Sequence, residues 1–359
     1  MVGVFPPPIH GQSLSNEALR KHLAAAGDQP LVINLSPATA SRSYRVRLGR
    51  SLVVLRGLAR FVLLLATEKR GGSVVISMSG GYGIAYDLVF AGLSRLSGRR
   101  LFLHHHNYTY VDKSRLLMKW ITLVSGSKAT HIVLCERMGV SLKSRYPRIV
   151  ETVWLSNVVF LDDSGVPRAV KPRSGLEVIG YISNITVEKG IYEFLDTLEE
   201  LGRRGVRVSA RIAGPIEDDA LKSELLSRLD RLASVQYVGA VYGSVKEEFY
   251  RSIDLLLFPS RNEAEGRVIH EAMYAGVPVI AADRGCVRDV MGARAGWVVE
   301  RGESFVERAV ERIETWVRDP AQYETISRAA IRRFHELRHE SQVCLDAICR
   351  LILSGWRAG

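Results

Sequence analysis

Short apolar runs alternate along the whole chain with longer stretches in which apolar residues recur at helical spacing. This alternation is typical of α/β domains, in which helices separate buried parallel strands. In the first half the predicted strands are Val2–Phe5, Leu31–Leu35, Val74–Ser77, Leu101–His104, His131–Leu134 and Glu151–Leu155. In the second half they are Glu177–Ser183, Val208–Ala213, Val235–Val238, Leu255–Phe258, Pro278–Ala281 and Gly296–Val299. Helices are predicted between the strands, and the last two are Ala321–Phe334 and Glu340–Leu353.

A polar stretch with two prolines, at residues 161–175, separates the two halves. Its composition is typical of an interdomain linker. We therefore predict an α/β protein with two doubly wound, Rossmann-like domains at 1–165 and 166–340. A C-terminal helix at 341–359 is predicted to cross back to the first domain. Such sheets bind ligands beyond the carboxyl ends of their strands, so the cleft between the domains is the expected site.

Composition narrows the class of protein. The 359 residues are 47% hydrophobic and 24% charged, which is ordinary for globular domains. No G-x-G-x-x-G follows a strand, and no Walker motif or G-x-S-x-G is present. These absences argue against dinucleotide oxidoreductases, Walker-type NTPases and serine hydrolases. Four cysteines without C-x-x-C spacing, no secretory signal and no bilayer-length apolar run favour a reduced, cytoplasmic protein.

Two short motifs each allow two interpretations. The triplet His104-His105-His106 suggests a metal, but neighbouring residues on a strand point to opposite faces and cannot converge on one ion. No metal site is therefore predicted. The run Ser79-Gly80-Gly81-Tyr82-Gly83 follows a predicted strand, and a flexible turn is favoured over a ligand-binding loop.

The densest set of candidate residues lies at 255–271, LLLFPSRNEAEGRVIHE. A buried strand leads into a loop with Glu263, and a helix that begins near Gly266 contains Glu271. Helix N-termini offer unpaired N–H groups and a partial positive charge to phosphate, and carboxylates accept hydrogen bonds from vicinal hydroxyls. The combination suits a sugar nucleotide. An ordinary amphipathic helix with one solvated glutamate explains the same residues equally well.

This stretch resembles the E-x7-E signature of retaining glycosyltransferases of the GT-B fold, specifically glycosyltransferase family four. That family typically shows P-S-x-x-E-G-F-G-x-x-x-x-E-A-M-x-x-G-x-P-V. The matching positions here are Pro259-Ser260, Glu263, Gly266, Glu271-Ala272-Met273, Gly276 and Pro278-Val279. Further landmarks similar to the family follow in order along nearly the whole chain: Pro6-Pro7-Pro8, His10-Gly11, His106, Leu155-Ser156-Asn157-Val158, Ser183-Asn184-Ile185, Glu188-Lys189-Gly190 and Gly239-Ala240-Val241.

The resemblance implies an enzyme that moves a hexose from a UDP- or GDP-linked donor to an acceptor with retention of configuration. It implies no cofactor and no metal. The implied acceptor is a glycan or a polyprenyl-diphosphate-linked sugar in cell-surface polysaccharide biosynthesis. A GT-B-type epimerase acting on sugar nucleotides would share the scaffold and stays as the alternative. A nucleic-acid-binding module is not favoured, because recognisable nucleic-acid-binding motifs are missing.

The resemblance also implies roles for individual residues. Glu271 would bind the ribose hydroxyls, Glu263 the hydroxyls of the donor sugar, and Lys189 the diphosphate. The implied catalytic residues are His106, Glu263 and Lys189. The implied donor-binding residues are Gly11, Asn184, Lys189, Val241, Glu263, Gly266, Arg267 and Glu271. His10 and His105 are placed near the sugar or acceptor, with His105 as the alternate to His106. Some of these residues also have a simpler explanation. Lys189 fits a solvated lysine at a helix start, and His10 and Gly11 fit plain turn residues.

Two positions depart from the family pattern. Asn184 stands where the family has an arginine, which removes one cation from the diphosphate site; Arg261 and Arg267 are candidates to replace it. Glu265 stands where the family has a phenylalanine. Both departures bear on the identity of the donor more than on the class of reaction.

Charge is distributed unevenly along the chain. The total is +11, but residues 1–168 hold 22 Lys and Arg against nine Asp and Glu, whereas the remainder holds 27 against 29. Within the first half, residues 41–70 combine seven arginines and one lysine with an apolar helical face. Such a helix is typical of a membrane-surface element, although packing of the apolar face on the sheet explains it as well. An anionic membrane is therefore a candidate partner through 41–70, at the inner face of the plasma membrane.

Overall fold

The computed structural model describes residues 1–7, 11–36, 44–68, 71–161, 175–232 and 234–354, with the backbone alone for 44–50. The chain divides into two compact units. Unit 1 comprises Met1–Phe160 together with Glu340–Gly359, and unit 2 comprises Leu161–His339. His10 and most of the predicted linker lie outside the described residues.

Unit 1 is built on six parallel strands. They are β1 (Val2–Gly3), β2 (Ile33–Asn34), β3 (Ser73–Met78), β4 (Arg100–His105), β5 (Thr130–Val133) and β6 (Glu151–Trp154). Their order across the sheet is β2-β1-β3-β4-β5-β6. The central strands β3, β4 and β5 are almost entirely buried, which explains why they are continuous apolar runs in the sequence. The helices are α1 (Gly11–Ala25), α2 (Tyr44–Thr67), α3 (Ile84–Leu96), α4 (Thr109–Asp112), α5 (Leu116–Ser125) and α6 (Glu136–Arg145).

Unit 2 repeats this architecture. Its strands are β7 (Val178–Ile182), β8 (Ser209–Ala213), β9 (Val235–Tyr237), β10 (Leu255–Phe258), β11 (Val279–Ala282) and β12 (Gly296–Val299). They lie in the order β12-β11-β10-β7-β8-β9 and are parallel. The helices are α7 (Ile191–Arg203), α8 (Asp219–Leu229), α9 (Gly243–Arg251), α10 (Arg267–Tyr274), α11 (Val287–Met291), α12 (Phe305–Arg318) and α13 (Pro320–Leu353). The predicted fold class, two parallel Rossmann-like sheets with flanking helices, is confirmed.

The C-terminal helix differs from the sequence prediction. Two helices were expected, with a break between 334 and 340, but α13 runs without interruption from Pro320 to Leu353. The intervening residues 335–339 contain neither proline nor glycine, so nothing in the backbone ends the helix there. Residues from Glu340 onward belong to unit 1, where Leu345 and Ile348 join the core cluster that contains Phe102 and Ile132.

The strand orders locate the expected ligand edge of each unit. In unit 2 the order reverses between β7 and β10, since β8 and β9 lie on one side and β11 and β12 on the other. In unit 1 the corresponding reversal lies between β1 and β3. In sheets of this kind the loops that leave the carboxyl ends of the strands at the reversal form the ligand site.

Three histidines lie in the core of unit 1. His104 and His105 end β4 and His131 lies on β5, and all three are buried. Burial lowers the pKa of His104 to about 3 and that of His131 to about 3, and it lowers the pKa of His105 well below its ordinary value. His105 Nε2 lies 2.9 Å from His131 Nδ1. The three imidazoles are therefore neutral near pH 7.

We expect the stability of unit 1 to fall as the pH falls below about 6.5, the pKa of histidine in an unfolded chain. Unfolding then takes up protons that the folded unit excludes, so the stability is present above this pH and lost below it. Each neutral histidine contributes a slope of about 1.4 kcal/mol per pH unit. Urea unfolding of the chain between pH 7 and pH 5 measures this slope.

The variant His131→Gln should lower the slope by about one proton. The exposed His339 provides the matched control variant, His339→Gln. Equal slopes in the wild type and the His131 variant would contradict the neutral state of this buried group.

Candidate functional site

The loop after β10 is the centre of the predicted site. It leaves the strand at Phe258 and ends at Gly266, where α10 begins. Gly266 has φ +80°, and a Cβ added there would lie 2.9 Å from Ile269 Cδ1. Glycine is therefore required for the sharp entry into α10. The start of α10 is consequently held at the carboxyl edge of the sheet.

Loops from both neighbouring strands fix this loop in place. On the β7 side, the Arg261 N–H donates to the Glu188 carbonyl at 2.8 Å. Gly190, with φ +79°, packs so closely on the Pro259 carbonyl that a Cβ would collide with it. On the β11 side, the Cys286 N–H donates to the Ala264 carbonyl at 2.7 Å. Because β10 lies between β7 and β11, the three loops brace one another.

Lys189 and Glu263, both predicted from the sequence, are brought together across these loops. Lys189 Nζ lies 2.8 Å from Glu263 Oε2. The other carboxylate oxygen, Oε1, accepts from the Ala264 N–H at 3.1 Å. The Lys189 backbone is held as well, since its N–H donates to Thr186 Oγ1 at 3.3 Å and its carbonyl accepts from the Tyr181 hydroxyl at 3.1 Å. The ammonium group is thus presented from a fixed turn and remains partly exposed.

Glu271, the second predicted carboxylate, is buried, with 3% of its side chain exposed. Two residues of α9 hold it: Lys246 Nζ lies 2.6 Å from Oε1, and the Tyr250 hydroxyl donates to Oε2 at 2.8 Å. Burial raises the pKa of Tyr250 well above its ordinary value, and the nearby Glu271 carboxylate raises it further. The phenol therefore keeps its proton as the donor.

Lys246 and Tyr250 were missed by the sequence reasoning. They lie four residues apart on one helix, which puts them on the same face. That spacing is equally common on ordinary solvated helices, so it offers no signal by itself. Only the packing of α9 against α10 identifies their shared partner.

Glu265, one of the two departures from the family pattern, is buried with 2% exposure. Its Oε1 lies 3.2 Å from Nε2 of the buried His270. A carboxylate is therefore buried inside unit 2 at this position, and the His270 imidazole of α10 contacts it.

The remaining predicted donor residues of unit 2 differ in exposure. Asn184 is exposed after β7, and Val241 is buried after β9. Arg267, at the start of α10, has its Nε 3.5 Å from Glu271 Oε1. Arg261, a candidate to replace the arginine missing at 184, is paired with Glu193 at 2.5 Å. A diphosphate would have to compete with Glu193 for this guanidinium.

The predicted residues of unit 1 lie at the carboxyl edge of its own sheet. Gly11 is the exposed first residue of α1. His106 follows β4 and is partly buried, with its ring centroid 4.0 Å from that of His104. His105 points the other way, where its two ring nitrogens contact Tyr110 and His131. Of the two histidines, His106 is thus the more accessible to a ligand.

The glycine-rich run after β3 is an ordered turn. The Asp87 carboxylate accepts from the Ser79 N–H at 2.7 Å and from the Ser79 hydroxyl at 3.2 Å. Gly80 packs against the amide of Asn107, and a Cβ at residue 80 would collide with it. The loops after β3 and β4 therefore support each other beside His106.

Part of the chain is similar in sequence to known glycosyltransferases. Residues 166–333 match the family model described as glycosyl transferases group 1. The capsular polysaccharide biosynthesis glycosyltransferase CapM of Staphylococcus aureus is 28% identical over 176 residues. That alignment covers 48% of this chain and 44% of CapM, so it spans less than half of the relative's length. An epimerase gains no support from these similarities.

Solved structures extend the likeness to the whole chain. Sucrose-phosphate synthase from Thermosynechococcus elongatus has a TM-score of 0.72 at 15% identity, covering 100% of this chain and 99% of that one. Alr3699/HepE of Anabaena, in complex with UDP, has a TM-score of 0.68 at 18% identity, covering 98% of each chain. At these identities the likeness concerns the fold. Residues 166–333 thus match the family of glycosyl transferases group 1, and the whole chain shares the fold of these two solved structures.

Proposed function

We propose that this protein is a retaining glycosyltransferase that moves a hexose from a UDP- or GDP-linked donor to a glycan or polyprenyl-diphosphate-linked acceptor. The observation that carries the proposal is the pair of lysine–glutamate contacts, Lys189–Glu263 and Lys246–Glu271, at the start of α10. They lie inside the segment that matches the glycosyltransferase family model. A sugar nucleotide needs cations that bind its diphosphate and carboxylates that accept hydrogen bonds from its hydroxyls.

In the proposed complex the donor lies along the carboxyl edge of unit 2. Glu271 accepts hydrogen bonds from the ribose hydroxyls, and Glu263 accepts them from the transferred sugar. Lys189 and the N–H groups at the Gly266–Arg267 helix start neutralise the diphosphate. Val241 contacts the base and Asn184 lies beside the phosphates, whereas Gly11 is assigned to the phosphates by the family resemblance alone. The UDP complex of the structurally similar HepE supports a uridine nucleotide as one of the two donor classes.

The proposed chemistry needs no protein nucleophile. The bond between the anomeric carbon and the diphosphate oxygen breaks, and the acceptor oxygen attacks the same face of an oxocarbenium-like sugar. The acceptor proton passes to the leaving phosphate, whose negative charge Lys189 stabilises. His106 is assigned to the transferred sugar. The similarity to CapM, a capsular polysaccharide biosynthesis glycosyltransferase, supports polysaccharide assembly as the setting.

We also propose that protein cations replace a metal in this reaction. Among the described residues, no group of three or more His, Cys, Asp or Glu side chains is placed to hold a metal ion. Lys189 and the start of α10 would supply the positive charge that the diphosphate needs as it leaves.

A thermal-shift panel of UDP-, GDP- and dTDP-sugars tests the proposed donor. A UDP- or GDP-sugar should raise the unfolding midpoint in proportion to the logarithm of its concentration, because a ligand at 100 times its Kd adds about 2.7 kcal/mol. EDTA should leave this rise unchanged. No shift with any sugar nucleotide would overturn the proposed function, and a shift abolished by EDTA would overturn metal independence.

The variant Lys189→Met tests the diphosphate role without knowledge of the acceptor. We expect the affinity for UDP or GDP to fall at least tenfold, since a hydrogen bond to a charged group contributes about 1.5–3 kcal/mol. Calorimetry should show that the affinity for uridine or guanosine, which lack phosphate, is unchanged. Lys189→Arg should restore part of the loss, and the exposed Lys222→Met serves as the control. Equal losses for nucleotide and nucleoside would rule out a phosphate contact.

We further propose that unit 1 binds an anionic membrane surface through α2, as a cytoplasmic protein at the inner face of the plasma membrane. In the part of α2 whose side chains are described, Leu52, Leu55, Val62 and Leu63 are exposed. Arg56 and Arg60 lie exposed among them. The opposite face packs inward through Val54 and Phe61, so the sheet does not use the exposed leucines. The side chains of Arg42, Arg45, Arg47, Arg50, Lys69 and Arg70 lie outside the described residues.

Apolar side chains beside arginines suit an interfacial helix that attracts anionic lipids. Within the described ranges, no helix combines the length and the apolar character that crossing a bilayer requires. A surface contact through α2 would bring a polyprenyl-linked acceptor to unit 1.

Flotation with phosphatidylglycerol vesicles tests this surface. We expect binding at low salt that weakens at high salt and that falls at least about tenfold in a variant with Leu52, Leu55 and Leu63 changed to serine. The matched control changes Leu96, Leu116 and Leu123, which are exposed elsewhere on unit 1. Equal binding by the two triple variants would contradict a role for α2.

A further inference from the structure

We propose that Lys246 is a ribose-binding residue that acts together with Glu271 and makes the nucleotide site selective for ribonucleotides over 2′-deoxyribonucleotides. The inference rests on the proposed function, in which Glu271 accepts hydrogen bonds from the ribose. It adds a residue from α9, outside the E-x7-E stretch, and a specificity that follows from the chemistry of the pair.

Lys246 is the more exposed member of its ion pair with Glu271. The Glu271 side chain is 3% exposed, whereas that of Lys246 is 26% exposed. The ammonium lies 2.6 Å from Oε1 of the carboxylate. A ligand that reaches this oxygen from solvent therefore also meets the ammonium of Lys246.

Both oxygens of the Glu271 carboxylate can accept a further hydrogen bond from a ligand. The Tyr250 hydroxyl occupies one site of Oε2 and Lys246 one site of Oε1, while Arg267 Nε stays at 3.5 Å, beyond a short hydrogen bond. A carboxylate oxygen has two lone pairs, so each oxygen can accept one further hydrogen bond. The two α9 residues thus fix the carboxylate without closing it to a vicinal diol.

The lysine supplies what a carboxylate lacks. A ribose hydroxyl is both a donor and an acceptor, but an ionised carboxylate only accepts. Among the described residues, Glu271 Oε1 is the acceptor that Lys246 Nζ contacts. An ammonium carries three N–H groups, so further donors remain for a hydroxyl oxygen. Lys246 and Glu271 together satisfy both roles of the hydroxyl with charge-assisted hydrogen bonds.

This arrangement penalises a ligand that lacks the hydroxyl. With a 2′-deoxyribose, Lys246 and Glu271 would keep their contact with each other but would lose the two charge-assisted hydrogen bonds to the 2′-hydroxyl. Sites built to hydrogen-bond a hydroxyl bind the analogue without it less tightly, because those hydrogen bonds are not made. If the Lys246–Glu271 ion pair were merely structural, its loss would weaken the binding of ribonucleotides and of 2′-deoxyribonucleotides equally.

The test compares the affinities of UDP with 2′-deoxy-UDP, and of GDP with 2′-deoxy-GDP, by calorimetry on the full chain. We expect the wild type to bind the ribonucleotide at least about tenfold more tightly, as the loss of a charge-assisted hydrogen bond implies. In Lys246→Met the preference should fall to about threefold or less, and Lys246→Arg should restore it.

Two further variants separate recognition from stability. Tyr250→Phe releases the other carboxylate oxygen, so it should weaken both nucleotides while the ribose preference is retained. Lys222→Met removes an exposed lysine of α8 and should change neither affinity. Thermal unfolding shows whether each variant folds. If Lys246→Met does not fold, the ribose preference of Lys246→Arg is compared with that of the wild type instead.

Each outcome decides the inference. An unchanged ribose preference in Lys246→Met overturns it and leaves the proposed function intact. Tighter binding of 2′-deoxynucleotides by the wild type overturns it as well. If the wild type binds neither UDP nor GDP, the proposed function fails and this assignment fails with it.

Discussion

The close approach of Gly190 to the Pro259 carbonyl is the constraint on which the arrangement of unit 2 depends. Only a residue without a Cβ, in a left-handed conformation, allows the loops after β7 and β10 to touch at this point. The contact places Lys189 within 2.8 Å of Glu263 although 74 residues separate them. Any side chain at 190 would push the two loops apart and separate the lysine from its carboxylate.

Two carboxylates of the same loop and helix are treated differently by their surroundings. Glu263 remains partly exposed and is paired with Lys189 at the edge of the sheet. Glu271 is buried and is fixed by Lys246 and Tyr250. Removing one partner of such a buried pair costs about 3–5 kcal/mol when the remaining charge has no compensation. The proposed ribose site is therefore the more buried of the two, and the proposed sugar site the more exposed.

The buried histidines of unit 1 lie in its core, whereas part of its positive charge lies on its surface. Its histidines are neutral and buried along β4 and β5, with His106 at the edge of this cluster. Its surplus of positive charge lies partly on α2, beside exposed leucines. The charge that suggested an anionic membrane as a partner is consequently concentrated in the unit to which the proposal assigns the acceptor.

The sequence by itself determined the fold class, because buried parallel strands and helix starts leave local patterns. Its resemblance to a family of glycosyltransferases pointed to Glu263, Glu271 and Lys189 as candidate residues. The tertiary structure alone decided that Lys189 meets Glu263, that Lys246 and Tyr250 meet Glu271, and that Glu265 is buried against His270. It also replaced two predicted helices with the continuous α13. Contacts between side chains far apart in sequence depend on how strands and helices pack, and no local periodicity records that packing.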